Sequence, residues 1–256
     1  MKKVVQLFML FGLFITPIMG LADDTPYQVE IIVFSQISAT GIDSEEWPQV
    51  QDPQFNLEHV IELQQPKAIE PDVLTTENAT DTQETNTDTK DAPFTLLPED
   101  KFILTKEAEK LSNNPGYKVL LHIAWQQPAS ALYSPKTFHL YGGLGYDGPS
   151  SQTAEITDES IPYNSLQQWQ LNGLLTISLQ RYFNLHFNLL LAQPLSEVQH
   201  LSTNGYFDSV SSPYVYFRML QNRRTRSSEL NFIGHPLMGV LVKIKKLPET
   251  DKTNIT

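Results

Sequence analysis

Apolar and polar residues alternate along much of this chain. Between positions 169 and 191, Leu171, Leu175, Ile177, Leu179, Phe183, Leu185, Phe187, Leu189 and Leu191 are interleaved with Asn172, Thr176, Ser178, Gln180, Asn184, His186 and Asn188. A period of two marks strands with one buried face, and a run this long predicts two strands joined near 181–184. Residues 27–36 (YQVEIIVFSQ) place Tyr27, Val29, Ile31 and Val33 on one face, while Ile32 and Phe34 make the other face partly apolar. A strand apolar on both sides belongs in the middle of a sheet. Residues 117–127 (YKVLLHIAWQQ) form another strand, with Val119, Leu121, Ile123 and Trp125 on one face. A short strand over 136–141 ends in a turn at Gly142-Gly143. Strands at 214–220, 226–233 and 238–246 follow, the last two separated by the turn residues Gly234-His235-Pro236. Helical spacing occurs at Leu97, Leu104, Ala108 and Leu111, opened by Pro98 and ended by residues 113–116 (NNPG), with a weaker helical stretch over 57–63. The pattern predicts an α+β fold: mainly antiparallel β-sheet of about eight strands with one or two helices. A transmembrane β-barrel shares the alternation, but the helix, a long polar insertion and the lack of aromatic girdles fit it poorly.

The ends and the insertion divide the chain. Lys2 and Lys3 precede an apolar run over 4–18, then the small residues Gly20 and Ala22 and the polar Asp23-Asp24-Thr25. That order predicts a cleaved signal peptide over 1–22, and no later stretch is long and apolar enough to span a membrane as a helix. Residues 23–70 form the N-terminal part of the fold with the first strand. In residues 71–93 the segment TTENATDTQETNTDTKD holds one apolar residue, Ala79, which predicts a disordered acidic Thr/Asn-rich insertion. The main α+β region covers 94–247, and 248–256 is a flexible tail.

Composition narrows the chemistry. The chain has no cysteine, which excludes disulfides, thiolate zinc sites, cysteine nucleophiles and a lipoprotein anchor. Its formal charge is −11, and removing Lys2 and Lys3 makes it −13, a balance that argues against nucleic acid. No G-x-S-x-G, H-E-x-x-H, P-loop or G-x-G-x-x-G motif occurs, so no catalytic residue, metal or cofactor is nominated. His122, His139 and His186 fall on strands and could meet around a metal, although separately hydrogen-bonded histidines are the commoner outcome. The many carboxylates leave room for a hydrolytic pair without pointing to one.

One constellation stands apart. Four of the chain's five arginines lie within residues 218–226, beside Ser227, Ser228 and Glu229. On a hairpin, Arg223, Arg224, Arg226, Ser227, Glu229 and His235 would form a cationic patch whose forked donors suit carboxylates or phosphate. The same residues could equally serve as cross-strand ion pairs that act only on stability.

Residues 221–244 (QNRRTRSSELNFIGHPLMGVLVKI) resemble the C-terminal signature of the CsiV family of periplasmic peptidoglycan-binding proteins. The matching positions are Arg223, Arg224, Arg226, Ser227, Glu229, Phe232, His235 and Pro236. Residues 27–36 resemble the family's opening strand, 117–128 its middle strand, and Trp169 with Arg181-Tyr182 its hairpin, so the likeness runs from 27 to about 247. Thr225, Ser228, Asn231, Phe232 and Gly234 stand where the family's pattern has Met, Gly, His, Tyr and Asp, so roles for those side chains are not carried over. The resemblance implies a gammaproteobacterial periplasmic protein, not an enzyme, that binds peptidoglycan. It also implies support for peptidoglycan synthesis and cell shape, by helping an outer-membrane lipoprotein activate a penicillin-binding protein. Arginines would then pair with stem-peptide carboxylates, with Trp47, Trp125 and Trp169 as candidates to stack on sugars, although Trp125 fits a core role better. A protein-binding scaffold and a cell-wall hydrolase are the alternatives.

Overall fold

Strand β1 (Pro26–Ser35) sits at the centre of a sheet because both of its faces are apolar; its last eight residues are all buried. The computed structural model describes residues 25–48, 55–63, 94–147 and 167–248. The expected signal peptide, the 71–93 insertion and the 249–256 part of the tail lie outside them. After β1 come helix α1 (Ala39–Ile42), the two-residue strands β2 (Ile61–Glu62) and β3 (Thr95–Leu96), and helix α2 (Thr105–Ser112). Strands β4 (Lys118–Pro128), β5 (Lys136–Asp147), β6 (Gln167–Leu179) and β7 (Phe183–Pro194) follow, then helix α3 (Leu195–Leu201). The chain closes with β8 (Tyr214–Thr225), β9 (Leu230–His235) and β10 (Met238–Lys246).

These strands form two five-stranded sheets, ordered β3-β4-β1-β10-β9 and β2-β5-β6-β7-β8. Every pairing is antiparallel except that of β2 with β5. The sheets pack face to face over one core. Val29, Ile31, Val33, Ile123, Val240, Val242 and Ile244 come from the first, and Phe138, Leu171, Leu175, Phe187, Leu189 and Phe217 from the second. Mainly antiparallel sheet is therefore correct. Eight strands have six or more residues, and β2 and β3 are short additions. The α-helices number three among the described residues rather than one or two, all of them short. Both sheets are open, so the barrel alternative does not describe these residues. No helix among them is long and apolar enough to cross a membrane.

The outer face of the first sheet carries α2. Leu104, Ala108 and Leu111 cover Ile32, Phe34 and Val119. Under the start of that helix lies Glu30, fully buried. Its carboxylate accepts the backbone N–H groups of Ile103 (2.6 Å) and Leu104 (2.8 Å) and contacts His122 Nε2 at 2.8 Å. The helix begins at Thr105, later than Pro98 suggested, because 99–101 form a tighter 3-10 turn and the carboxylate then fixes the entry.

Three local expectations are corrected. Val119 does not share a face with Leu121: Val33 pairs Leu121 while Phe34 pairs Val119, so Leu120 is an extra residue and the strand turns over at this bulge. Gly142-Gly143 is not a turn, because β5 continues to Asp147 with a register shift between Gly142 and Gly145. A Cβ at Gly142 would collide with the carbonyl oxygen of Leu120, so the glycine is where the two sheets' irregularities meet. The stretch 57–63 is not helical. His59 adopts a positive φ of 62° and Ile61–Glu62 pair with β5.

Candidate functional site

The β6–β7 connection and the end of β8 build the site together. Leu179 pairs Phe183, leaving Gln180, Arg181 and Tyr182 to cross between the strands, with Gln180 N–H donating to the Tyr182 carbonyl at 3.1 Å. The β7–β8 register sets Phe183 opposite Thr225 and Asn184 opposite Arg224, which brings the end of β8 against this turn. The guanidinium of Arg224 lies 4.1 Å from the Tyr182 ring centroid, with those of Arg226 and Arg181 at 5.5 and 5.6 Å. Cations gather over an aromatic face because its quadrupole is negative there. The hydrogen bond from Arg226 to the phenol, aided by the charges of Arg226 and Arg224, holds Tyr182 below the ordinary tyrosine range.

One carboxylate answers these cations at close range. Glu229 Oε2 accepts the Arg226 N–H at 3.2 Å, and Oε1 is 3.9 Å from Arg226 Nη1. Their side chains are 68% and 51% exposed, so water screens the pair and the guanidiniums stay open to a ligand. Ser227 and Ser228 form the turn after β8; Ser228 has a φ of 69° and its N–H donates to the Ile244 carbonyl.

The other expected residues sit elsewhere. Arg223 has the alternation parity of the core-facing residues, and its Nε donates to Asn231 Oδ1 at 3.1 Å, linking β8 to β9 across the open ends of the two sheets. His235 lies at the far end of β9, roughly 20 Å of strand from Glu229. Its Nδ1 accepts the Leu237 N–H at 3.2 Å and its ring packs on Trp47 at 5.2 Å. Its Nε2 is buried without a hydrogen-bond partner. Burial pushes the imidazole down to about 4, only partly opposed by the Arg218 main chain. The structure thus brings Arg224, Arg226 and Glu229 together, sets Ser227 between them, and keeps Arg223 and His235 apart from the cluster.

Arg181 and Tyr182 are the members that periodicity left unassigned. Their signal was an arginine at an apolar position of the longest alternating run, where a turn had to fall. The expected stacking of tryptophan on sugar is corrected: Trp47, Trp125 and Trp169 are 5%, 0% and 6% exposed, too buried to meet a ligand. The strand histidines do not meet either. His122 contacts Glu30, His139 contacts Glu62 and Asn172, and His186 contacts Asn222. Among the described residues no three His, Asp or Glu side chains gather as a metal site.

Over residues 4–247 the chain matches the family model described as "Peptidoglycan-binding protein, CsiV". No curated protein and no solved structure matches it.

Proposed function

The chain belongs to the CsiV family of peptidoglycan-binding proteins, and on that premise we propose that it is a periplasmic, non-enzymatic protein that holds peptidoglycan at the cationic end of β8. The observation that carries this reading is the convergence of Arg181, Arg224 and Arg226 on Tyr182, of which only Arg226 pairs with a carboxylate, Glu229, among the described residues. Stem peptides end in carboxylates, and a guanidinium binds a carboxylate through two parallel charge-assisted hydrogen bonds. An acidic protein would repel such a ligand over most of its surface, so a local cluster also fixes where it lands. Ser227 sits in the turn between Arg226 and Glu229, while Arg223 is held on Asn231 away from the cluster. Support for peptidoglycan synthesis and cell shape, through a lipoprotein activator and a penicillin-binding protein, is the role that family likeness favours.

Co-sedimentation with purified sacculi tests the reading. The protein is expected in the pellet at low salt, and Arg224→Ala with Arg226→Ala is expected to leave it in the supernatant at an unchanged melting temperature. Wild-type protein remaining in the supernatant would refute it. Soluble muropeptides released during the same incubation would favour a hydrolase instead. A partner retained after the peptidoglycan is digested would favour a scaffold.

A further inference from the structure

The outward face of β7 and β8 runs from the cationic cluster along both strands, and its chemistry is unusual for a sheet. Successive outward pairs are Asn184 with Arg224, His186 with Asn222, Asn188 with Leu220, and Leu190 with Arg218. Asparagine is depleted from strands, because its short amide competes with the backbone for hydrogen bonds. Threonine or lysine would keep such a face soluble at lower cost. Three asparagines on one face of two neighbouring strands therefore break a local rule, and such breaks concentrate at functional surfaces.

The hydrogen bonds show what the amides offer. His186 Nδ1 lies 2.6 Å from Asn222 Oδ1, and Arg218 Nε donates to Asn188 Oδ1 at 2.9 Å. Both amide oxygens are occupied within the sheet, so the NH2 groups of Asn188 and Asn222 remain as outward donors. Between them stands Leu220, 56% exposed. The row from Arg218 to Arg224 is about 20 Å long at strand rise.

We infer that this row is a subsite for the N-acetylated glycan strand. The amide donors of Asn188 and Asn222 take acetamido carbonyl oxygens, and Leu220 takes the methyl groups. The inference rests on the peptidoglycan reading and adds the sugar moiety to it: the strand lies along β8, and the stem peptide it carries reaches the arginines at the end. Continuity of the row with the cluster through Asn184 and Arg224 makes one ligand span both.

The probes are the hexamer of N-acetylglucosamine and cellohexaose, both uncharged and differing in the acetamido group. Side-chain amide resonances of Asn188 and Asn222 are expected to shift on addition of the acetylated hexamer and to stay in place with cellohexaose. Asn188→Ala with Asn222→Ala is expected to weaken hexamer binding about ten-fold, the combined value of two hydrogen bonds near the lower end of their range. Equal response to the two oligosaccharides, or amide resonances that do not move, overturns the inference. If sacculi still bind in that case, the carboxylate reading survives alone; if they do not, both readings fall.

Discussion

Replacing Glu30 with alanine removes a fully buried carboxylate that organises the entry to α2. Its oxygens accept the N–H groups of Ile103 and Leu104, contact His122 Nε2, and lie 3.3 Å from Gln28 Nε2. In the alanine variant the Ile103 and Leu104 donors lose their acceptor, and Leu104 is buried. Leaving buried donors unsatisfied costs about 1–3 kcal/mol each. Little relief stands against this, because those hydrogen bonds already compensate the burial of the carboxylate. The balance is a loss of about 3 kcal/mol, or about 6–12 °C in melting temperature for a domain of this size. Glu30→Gln keeps the shape and one acceptor oxygen, and should cost about half as much. Thermal and urea unfolding measure both, and amide exchange at Ile103 and Leu104 should accelerate in the alanine variant. If Glu30→Ala unfolds within about 0.5 kcal/mol of wild type, the capping argument is wrong.

Two further outcomes follow from the packing. Gly142→Ala should destabilise by about 1–3 kcal/mol, because its Cβ meets the rigid Leu120 backbone; Gly234→Ala, whose nearest neighbours are ring carbons of the exposed Phe232, should cost far less on the same urea curves. His235 takes up its proton near 6.5 when unfolded and only near 4 in the fold, so the unfolded chain binds more protons between those values. Stability should therefore be level above pH 6.5 and fall as the pH is lowered toward 4, by about 2 kcal/mol after allowing for partial solvent access. His235→Asn should flatten that part of the profile, and a profile identical to wild type would refute the assignment.

The alternating pattern made most strands legible, including the β6–β7 hairpin and the central position of β1, because burial on one face imposes period two wherever a strand lies on a core. Local signals failed where geometry came from elsewhere. Leu120 bulges and Gly142 yields to it, a contact between strands of different sheets that neither segment announces. Trp47 and Trp169 looked available for a ligand as single residues, yet both are buried, Trp47 in the core between the sheets and Trp169 against Tyr141.

For the candidate site, the sequence alone determined that four arginines crowd residues 218–226 of an acidic chain. Only the tertiary structure decided which of them act together. Strand alternation sends Arg224 outward and Arg223 toward the sandwich end, and β7–β8 pairing delivers the fifth arginine, Arg181, with Tyr182 from more than thirty residues upstream. His235 shares the tail motif but lies under Trp47. Periodicity reports which face a side chain takes, since that is a property of the local backbone. Which strands become neighbours is settled by packing summed over both sheets, and that information is not local.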